Sequence, residues 1–236
     1  MVSRKGNPPQ HIGVILDGNR RYAQKYLSNP LQGHVHGYEK VDQFLEWCRE
    51  LGIREVTLFA FSTENFQRRK VEVDFLLGLF RKALTKLETD SRLERKDTQF
   101  TFLGRLHMFP PDIQKRMRSI MALTKDRKPF IANFAMAYGG RAEVVDATKA
   151  LAAEVKKGTL RVDAIDEALF QKYLYNESEP DLLIRPSGEL RTSGFLMYAG
   201  AYAEWFFLKK LWPEIEQKDL VRILKEFAQR ERRFGK

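Results

Sequence analysis

Cysteine is almost missing: the 236 residues carry one, Cys48. A disulfide within the chain is thereby excluded, which agrees with a reducing compartment. Cys48 falls on the apolar stripe of an expected helix, so it reads as a buried thiol rather than a reactive one. Long apolar runs are missing too. None approaches the roughly 18–20 residues that cross a bilayer. The segment 1–10 is polar and lacks the apolar centre of a secretory signal, so a cytoplasmic location is expected. Histidine is scarce, and His11, His34, His36 and His107 are too scattered to build a zinc site with Cys48. The patterns Gly-x-Gly-x-x-Gly and Gly-x-x-x-x-Gly-Lys are both absent, which removes the dinucleotide fingerprint and the usual ATP loop. There is no internal repeat, low-complexity tract or linker-like break, so residues 1–236 read as one domain.

What is present is a folded, charged chain. Hydrophobic residues make up 43% and charged residues 31%, a balance that supports a buried core and argues against disorder. The formal net charge of +10 asks for an anionic partner: nucleic acid, an anionic membrane surface or a phosphorylated small molecule. No nucleic-acid-binding motif accompanies the charge, so no nucleic-acid partner is expected.

Hydrophobic periodicity alternates between strand and helix. Ile12–Leu16 is a short apolar run ending at Asp17-Gly18-Asn19, and Gln24–His36 is rich in turn formers and reads as irregular. A helix begins near Gly37, with Val41, Phe44, Leu45 and Cys48 on one face. Val56–Phe61 is a continuous apolar strand. Val71–Leu87 is a long helix, and the charged stretch 88–97 after it is either a helical extension or a solvated connection. Further strands are expected at Gln99–Leu103, Phe130–Ala137, Asp181–Ile184 and Phe195–Tyr198. Helices are expected around Ile113–Met121, Val144–Val155 (with Val144, Val145, Thr148, Leu151, Ala152 and Val155 inward), Asp166–Tyr173 and Gln217–Arg230. Tyr202–Leu211 reads as helix or as a strand–helix junction. This order predicts an α/β fold with a parallel central sheet surrounded by helices.

In such sheets ligands bind beyond the carboxyl ends of the strands. Four polar clusters are expected there: Asp17-Gly18-Asn19-Arg20-Arg21, Ser62-Thr63-Glu64-Asn65, Tyr138-Gly139-Gly140-Arg141 and Arg185 through Ser193. Taken singly, the first and third are ordinary turns. Together they gather an acid, arginines, hydroxyls and glycines at one sheet edge, which suits a phosphorylated ligand with a hard cation. His34 lies near the first cluster. The leucine- and phenylalanine-rich helices supply core, and part of their lining suits a lipid chain; periodicity alone does not separate an inward stripe from a tunnel wall.

These blocks, with Phe59-Ala60-Phe61-Ser62-Thr63-Glu64-Asn65-Phe66, residues 133–141, residues 181–204 and Arg230-Glu231-Arg232-Arg233-Phe234-Gly235, together resemble the cis-prenyltransferases over essentially the whole chain. The Asp-Gly-Asn-Arg-Arg-Tyr form resembles archaeal and eukaryotic members. The resemblance implies a six-stranded parallel sheet with a hydrophobic tunnel and a homodimer. It also implies magnesium-dependent condensation of isopentenyl diphosphate onto an allylic prenyl diphosphate, farnesyl or geranylgeranyl.

By the same resemblance Asp17 is the magnesium-binding, catalytic carboxylate, and Glu204 is a second metal-associated one. Gly18, Asn19, Arg20, Arg21 and His34 hold the allylic diphosphate. Tyr22, Ser62 and Asn65 position the reacting ends, with Asn65 counted as catalytic. Arg68 and Glu72 belong to a closing segment. Arg185, Arg191 and Ser193 anchor isopentenyl diphosphate, and Glu189 matches a polar position of their loop. Arg233, Phe234 and Gly235 match a motif that reaches the neighbouring subunit. An apolar substrate also leaves room for contact with a membrane surface. One departure stands out: many bacterial relatives carry an arginine shortly before the Gly33-His34 pair, where this chain has Asn29-Pro30-Leu31-Gln32. A non-catalytic partner subunit would be expected to lose catalytic residues, and Asp17, Asn65, Arg185, Arg191, Ser193 and Glu204 are all kept.

Overall fold

The computed structural model describes residues 8–89 and 97–230. Six strands form one sheet: β1 (His11–Ile15), β2 (Glu55–Ser62), β3 (Thr98–Leu103), β4 (Phe130–Tyr138), β5 (Leu182–Arg185) and β6 (Glu204–Phe207). Every pairing is parallel, in the order β3-β4-β2-β1-β5-β6. The strands are joined by helices α1 (Asn19–Tyr26), α2 (Gln32–Glu50), α3 (Lys70–Thr89), α4 (Pro111–Thr124), α5 (Gly140–Lys156), α6 (Glu167–Gln171) and α7 (Gln217–Gln229).

Side chains alternate between sheet faces with a period of two. On one face Ile12, Val14, Val56, Leu58, Leu182 and Ile184 join a large core with residues of α2, α3, α4 and α7. Trp212 is fully buried there, donates from Nε1 to the Gly37 carbonyl at 2.8 Å and meets Phe44 edge-on. Each such fully buried large apolar side chain is worth about 1.5–3 kcal/mol. The opposite face has a smaller cluster, Ile15, Ala135, Tyr138, Leu183, Phe195 and Leu196. The strand order reverses at β1, which lies between β2 and β5. A crevice at the carboxyl end of such a strand is the usual ligand position in open α/β sheets.

Three local expectations are corrected, and a fourth falls mainly outside the described residues. Gln24–His36 is largely helical: α1 runs to Tyr26 and α2 already begins at Gln32. The turn formers are accommodated because Gly33 and Gly37 let α2 press on α1. A Cβ at Gly33 would stand 2.0 Å from the Asn19 carbonyl oxygen, and one at Gly37 would stand 2.3 Å from Asn19 Oδ1. Phe195–Tyr198 is a run of turns, and the sixth strand is Glu204–Phe207 instead. Ser193, Gly194 and Leu196 have φ of 51°, 70° and 44°, left-handed values incompatible with an extended strand. The inward face of α5 is Gly140, Glu143, Ala147 and Leu151, while Val145 is exposed. The close approach of Gly140 to the Gly194 carbonyl rotates the helix away from the most apolar stripe. The charged stretch 88–97 falls mainly outside the described residues; α3 continues to Thr89.

Candidate active site

β1 ends at Ile15, and the chain turns through Gly18, whose φ of 101° favours glycine, straight into α1. This turn places Asp17 beyond the central strand and presents the first backbone N–H groups of α1. No side chain caps them, so they suit an anion. From the neighbouring strand, Arg185 ends β5 and turns its guanidinium on Asp17: Nη2 donates to Oδ2 at 3.0 Å. Ser187 Oγ donates to the same oxygen at 2.8 Å, and Arg21 Nη2 approaches Oδ1 at 3.3 Å. Burial pushes the Asp17 carboxyl up, but the Ser187 and Arg185 hydrogen bonds and nearby positive charge outweigh it and hold the group below its ordinary value.

Arg185 also donates from Nη1 to Ser193 Oγ at 2.8 Å and to the Arg191 carbonyl oxygen, which fixes the loop carrying Arg191 and Ser193. Behind this loop the buried Tyr138 hydroxyl accepts from the Leu196 N–H at 3.1 Å and donates to Glu143 at 2.6 Å. Burial raises both the Tyr138 hydroxyl and the Glu143 carboxyl above their ordinary values.

The other side of the site comes from β2. Ser62 ends that strand and its N–H donates to Asn65 Oδ1 at 3.0 Å. The Asn65 carbonyl oxygen is thus engaged, and the amide NH2 is what the residue offers a ligand. Glu72 on α3 draws three cationic or imidazole groups together: Arg68 at 2.9 Å, His34 Nε2 at 3.3 Å and Arg20 at 3.9 Å. Burial lowers the His34 pKa from 6.5 against the raising influence of Glu72, so His34 is neutral near pH 7 and presents Nε2–H to the carboxylate.

Asp17, Gly18, Asn19, Arg20, Arg21, His34, Ser62, Asn65, Arg68, Arg185, Arg191 and Ser193 line one cleft of about 990 Å³, together with Gly139, Gly140 and Arg141. An apolar pocket of about 140 Å³ adjoins it, walled by α2 and α3 and floored by Phe100, Phe102, Phe134 and Met136. Leu16, Asn19, His34, Ala60 and Leu76 line both, so the polar cleft passes directly into the apolar pocket. α3 packs on α4 while α2 packs on α1 and the Trp212 segment, leaving this space between them.

Three expected residues stand apart. Tyr22 faces Tyr26 and His36 rather than the cleft, with ring centroids 5.0 Å and 5.5 Å away. Glu72 reaches the cleft through Arg68 and His34. Glu204 opens β6 opposite Leu182, at the amino end of the sheet, and accepts from Arg230 at 2.7 Å. Since Asp17 follows a carboxyl end, a single chain does not unite these two carboxylates. Arg233, Phe234 and Gly235 lie outside the described residues. Ser187 was not singled out as an Asp17 ligand, nor Tyr138 as the support of the Ser193 loop. The Pro186-Ser187-Gly188 turn was the available signal for the first.

Similarity to known proteins identifies the family. A family model described as "Putative undecaprenyl diphosphate synthase" matches residues 15–235. The chain belongs to the cis-prenyltransferase family. It is 44% identical to the tritrans,polycis-undecaprenyl-diphosphate synthase (geranylgeranyl-diphosphate specific) of Pyrococcus horikoshii, over 99% of this chain and 89% of that one. The protein of the same name from Methanocaldococcus jannaschii is 42% identical, over 98% and 84%. Among solved structures, lavandulyl diphosphate synthase from Lavandula x intermedia in complex with dimethylallyl diphosphate superposes with a TM-score of 0.89 at 34% identity, covering 97% of this chain and 99% of that one. A "probable undecaprenyl diphosphate synthase" from Campylobacter jejuni gives 0.79 at 30% identity, with 98% and 100% covered. The six-stranded parallel sheet is the architecture of this cis-prenyltransferase chain, as the sequence led one to expect.

Proposed function

We propose that this cis-prenyltransferase condenses isopentenyl diphosphate onto an allylic prenyl diphosphate, with magnesium, and grows a cis-polyprenyl diphosphate into the apolar pocket. The observation that carries the reading is the junction itself: one carboxylate ringed by guanidinium groups at the mouth of a greasy recess. Geranylgeranyl diphosphate is the favoured primer, because several archaeal relatives bear that specificity in their names.

Among the described residues no cluster of three or more His, Cys, Asp or Glu forms a ready metal cage. That donor set still fits magnesium, which is commonly held by one or two carboxylates plus substrate phosphate oxygens and water. Asp17 would hold the ion, which when bound would supply positive charge against the leaving diphosphate. Glu204 joins only if a second copy brings it near.

Breaking the allylic C–O bond gives a cation-like carbon and a diphosphate. The uncapped N–H groups of α1 with Arg20 and Arg21 receive the allylic diphosphate, and His34 stands beside it. Arg185, Arg191 and Ser193 hold isopentenyl diphosphate, which fixes the approach of its double bond. Ser62 and Asn65 orient the reacting ends; Asn65 acts as a donor, so the departing proton goes to the released diphosphate rather than to its amide. Leu76 and Ala60 exclude water that would quench the cation. Arg68 and Glu72 close over the bound substrate. The reading includes a homodimer joined partly through Arg233 and Gly235, in a cytoplasmic enzyme that touches membrane surfaces to unload product. Among the described residues no helix is long and apolar enough to cross a membrane.

The deciding experiment incubates purified chain with isopentenyl diphosphate, magnesium and either farnesyl or geranylgeranyl diphosphate, then sizes the products. Chain elongation with cis geometry supports the reading. No elongation from either primer, by the chain alone, turns it toward a non-catalytic partner subunit.

A further inference from the structure

The charged groups at the cleft form a closed ring. Asp17 is joined to Arg21 at 3.3 Å, Arg21 Nη1 to Glu189 Oε1 at 3.3 Å and Arg191 Nη1 to Glu189 Oε2 at 2.5 Å. The Arg191 carbonyl accepts from Arg185, and Arg185 returns to Asp17 at 3.0 Å. Asp17 thus lies between Arg21 and Arg185, Glu189 lies between Arg21 and Arg191, and the Arg191 backbone carbonyl closes the ring on Arg185. Asp17 has a task in the proposed reaction. Glu189 has none there: a carboxylate repels a diphosphate, yet this one bridges an arginine of the allylic site and an arginine of the isopentenyl site.

Its position is built rather than incidental. Ser187 and Gly188 both have left-handed φ, 90° and 76°. Their N–H groups donate to the carbonyls of Lys210 at 2.7 Å and Leu208 at 2.8 Å. Arg21 Nη1 also donates to the Ser187 carbonyl at 2.9 Å. The turn therefore fixes the chain one residue before Glu189, between the two arginines.

We infer that Glu189 is an internal stand-in for diphosphate, occupying Arg21 and Arg191 until substrate replaces it and coupling the two diphosphate sites. This deepens the function proposed above and rests on it. A diphosphate arriving at Arg191 removes one of the two anchors of Glu189. The carboxylate held by Arg21 alone is less well ordered and easier to displace, so the second diphosphate binds more readily than the first. The same placeholder keeps two neighbouring arginines from repelling each other in the empty cleft.

The test measures binding of isopentenyl diphosphate by calorimetry, with and without a non-reacting allylic thiolodiphosphate, for the wild-type chain, Glu189→Gln and Glu189→Asp. Glu189→Gln keeps size and removes charge. It is expected to bind isopentenyl diphosphate alone about fivefold tighter, the scale of one partly exposed ion pair. It should also lose most of the gain that the allylic analogue confers on the wild type. Glu189→Asp, too short to span both arginines, should fall between them. Melting curves verify that both variants are folded. Unchanged or weaker binding in folded Glu189→Gln, or coupling equal to the wild type's, overturns the inference and leaves the proposed reaction standing. A wild-type chain that binds neither diphosphate sinks the reaction reading itself, and the inference with it.

Discussion

Asp17→Ala tests the site through stability as well as turnover. The Arg185 side chain is 4% exposed and that of Asp17 is 27% exposed. Removing the carboxylate leaves the guanidinium on two neutral acceptors, Ser193 Oγ and the Arg191 carbonyl, with Arg21 close by. Breaking a fully buried ion pair costs about 3–5 kcal/mol. The partial exposure of Asp17 reduces that to about 2 kcal/mol here. For a chain of this size that is a Tm lower by about 4–8 °C. The loss has a pH signature. Asp17 is held below its ordinary carboxylate value, so its stabilisation is complete above that value and disappears as pH falls through the lower folded one. The Tm gap between wild type and variant should be full at pH 7 and shrink below about pH 4. Inorganic pyrophosphate without metal should raise the variant's Tm more than the wild type's, because it repairs the lost pairing. Turnover should fall by about 100-fold or more. Scanning calorimetry at pH 7 and pH 3.5 is the assay. A variant as stable as the wild type at pH 7, or more stable, refutes the claim that Arg185 depends on Asp17.

Tyr138→Phe removes both buried hydrogen bonds that support the loop of Ser193, at a cost of about 1–3 kcal/mol. Steady-state kinetics should show a raised KM for isopentenyl diphosphate, with the KM for the primer little changed; equal shifts in both would contradict the positioning role. Ala83→Phe adds a ring to the wall of the apolar pocket away from the polar cleft, so the product should shorten while the first condensation continues. Chromatographic sizing checks this, and full-length product argues against the pocket as the chain's path. Glu72→Gln removes the influence that raises the His34 pKa, which should therefore fall further below 6.5 in an NMR titration. Because the folded value lies below the unfolded one, His34 costs stability as pH falls below about 6.5.

Continuous apolar strands such as Val56–Phe61 and long periodic helices such as α3 were legible because burial on both sheet faces and a 3.6-residue stripe leave distinct patterns. The polar clusters were legible as strand ends for the same reason. What escaped were features set by backbone approach. The early start of α2 depends on Gly33 and Gly37 meeting Asn19, a contact between elements that no local propensity encodes. Phe195 and Leu196 look like strand residues and are buried like them, but left-handed turns at Ser193, Gly194 and Leu196 carry them into the core. The Asp17 cluster was placed correctly beyond β1, whereas its pairing with Ser187 needed the fold to bring positions 170 residues apart within 2.8 Å. Glu204 shows the opposite limit. A motif match made it a second metal-associated carboxylate, and strand direction sets it, within one chain, at the opposite end of the sheet from Asp17.

The glycine contact on α2 has a practical consequence. One turn of that helix supports the Asn19 backbone from beneath, and the following turns, at Val41 and Leu45, border the apolar pocket. A bulky change on α2 would therefore disturb diphosphate capture along with chain growth, and the two effects would be confounded in any engineered variant. On α3, Glu72 and Leu76 belong to the cleft, but the later turns, at Ala83, Leu84 and Leu87, border only the apolar pocket. Those turns are where product size can be retuned while the chemistry is left alone.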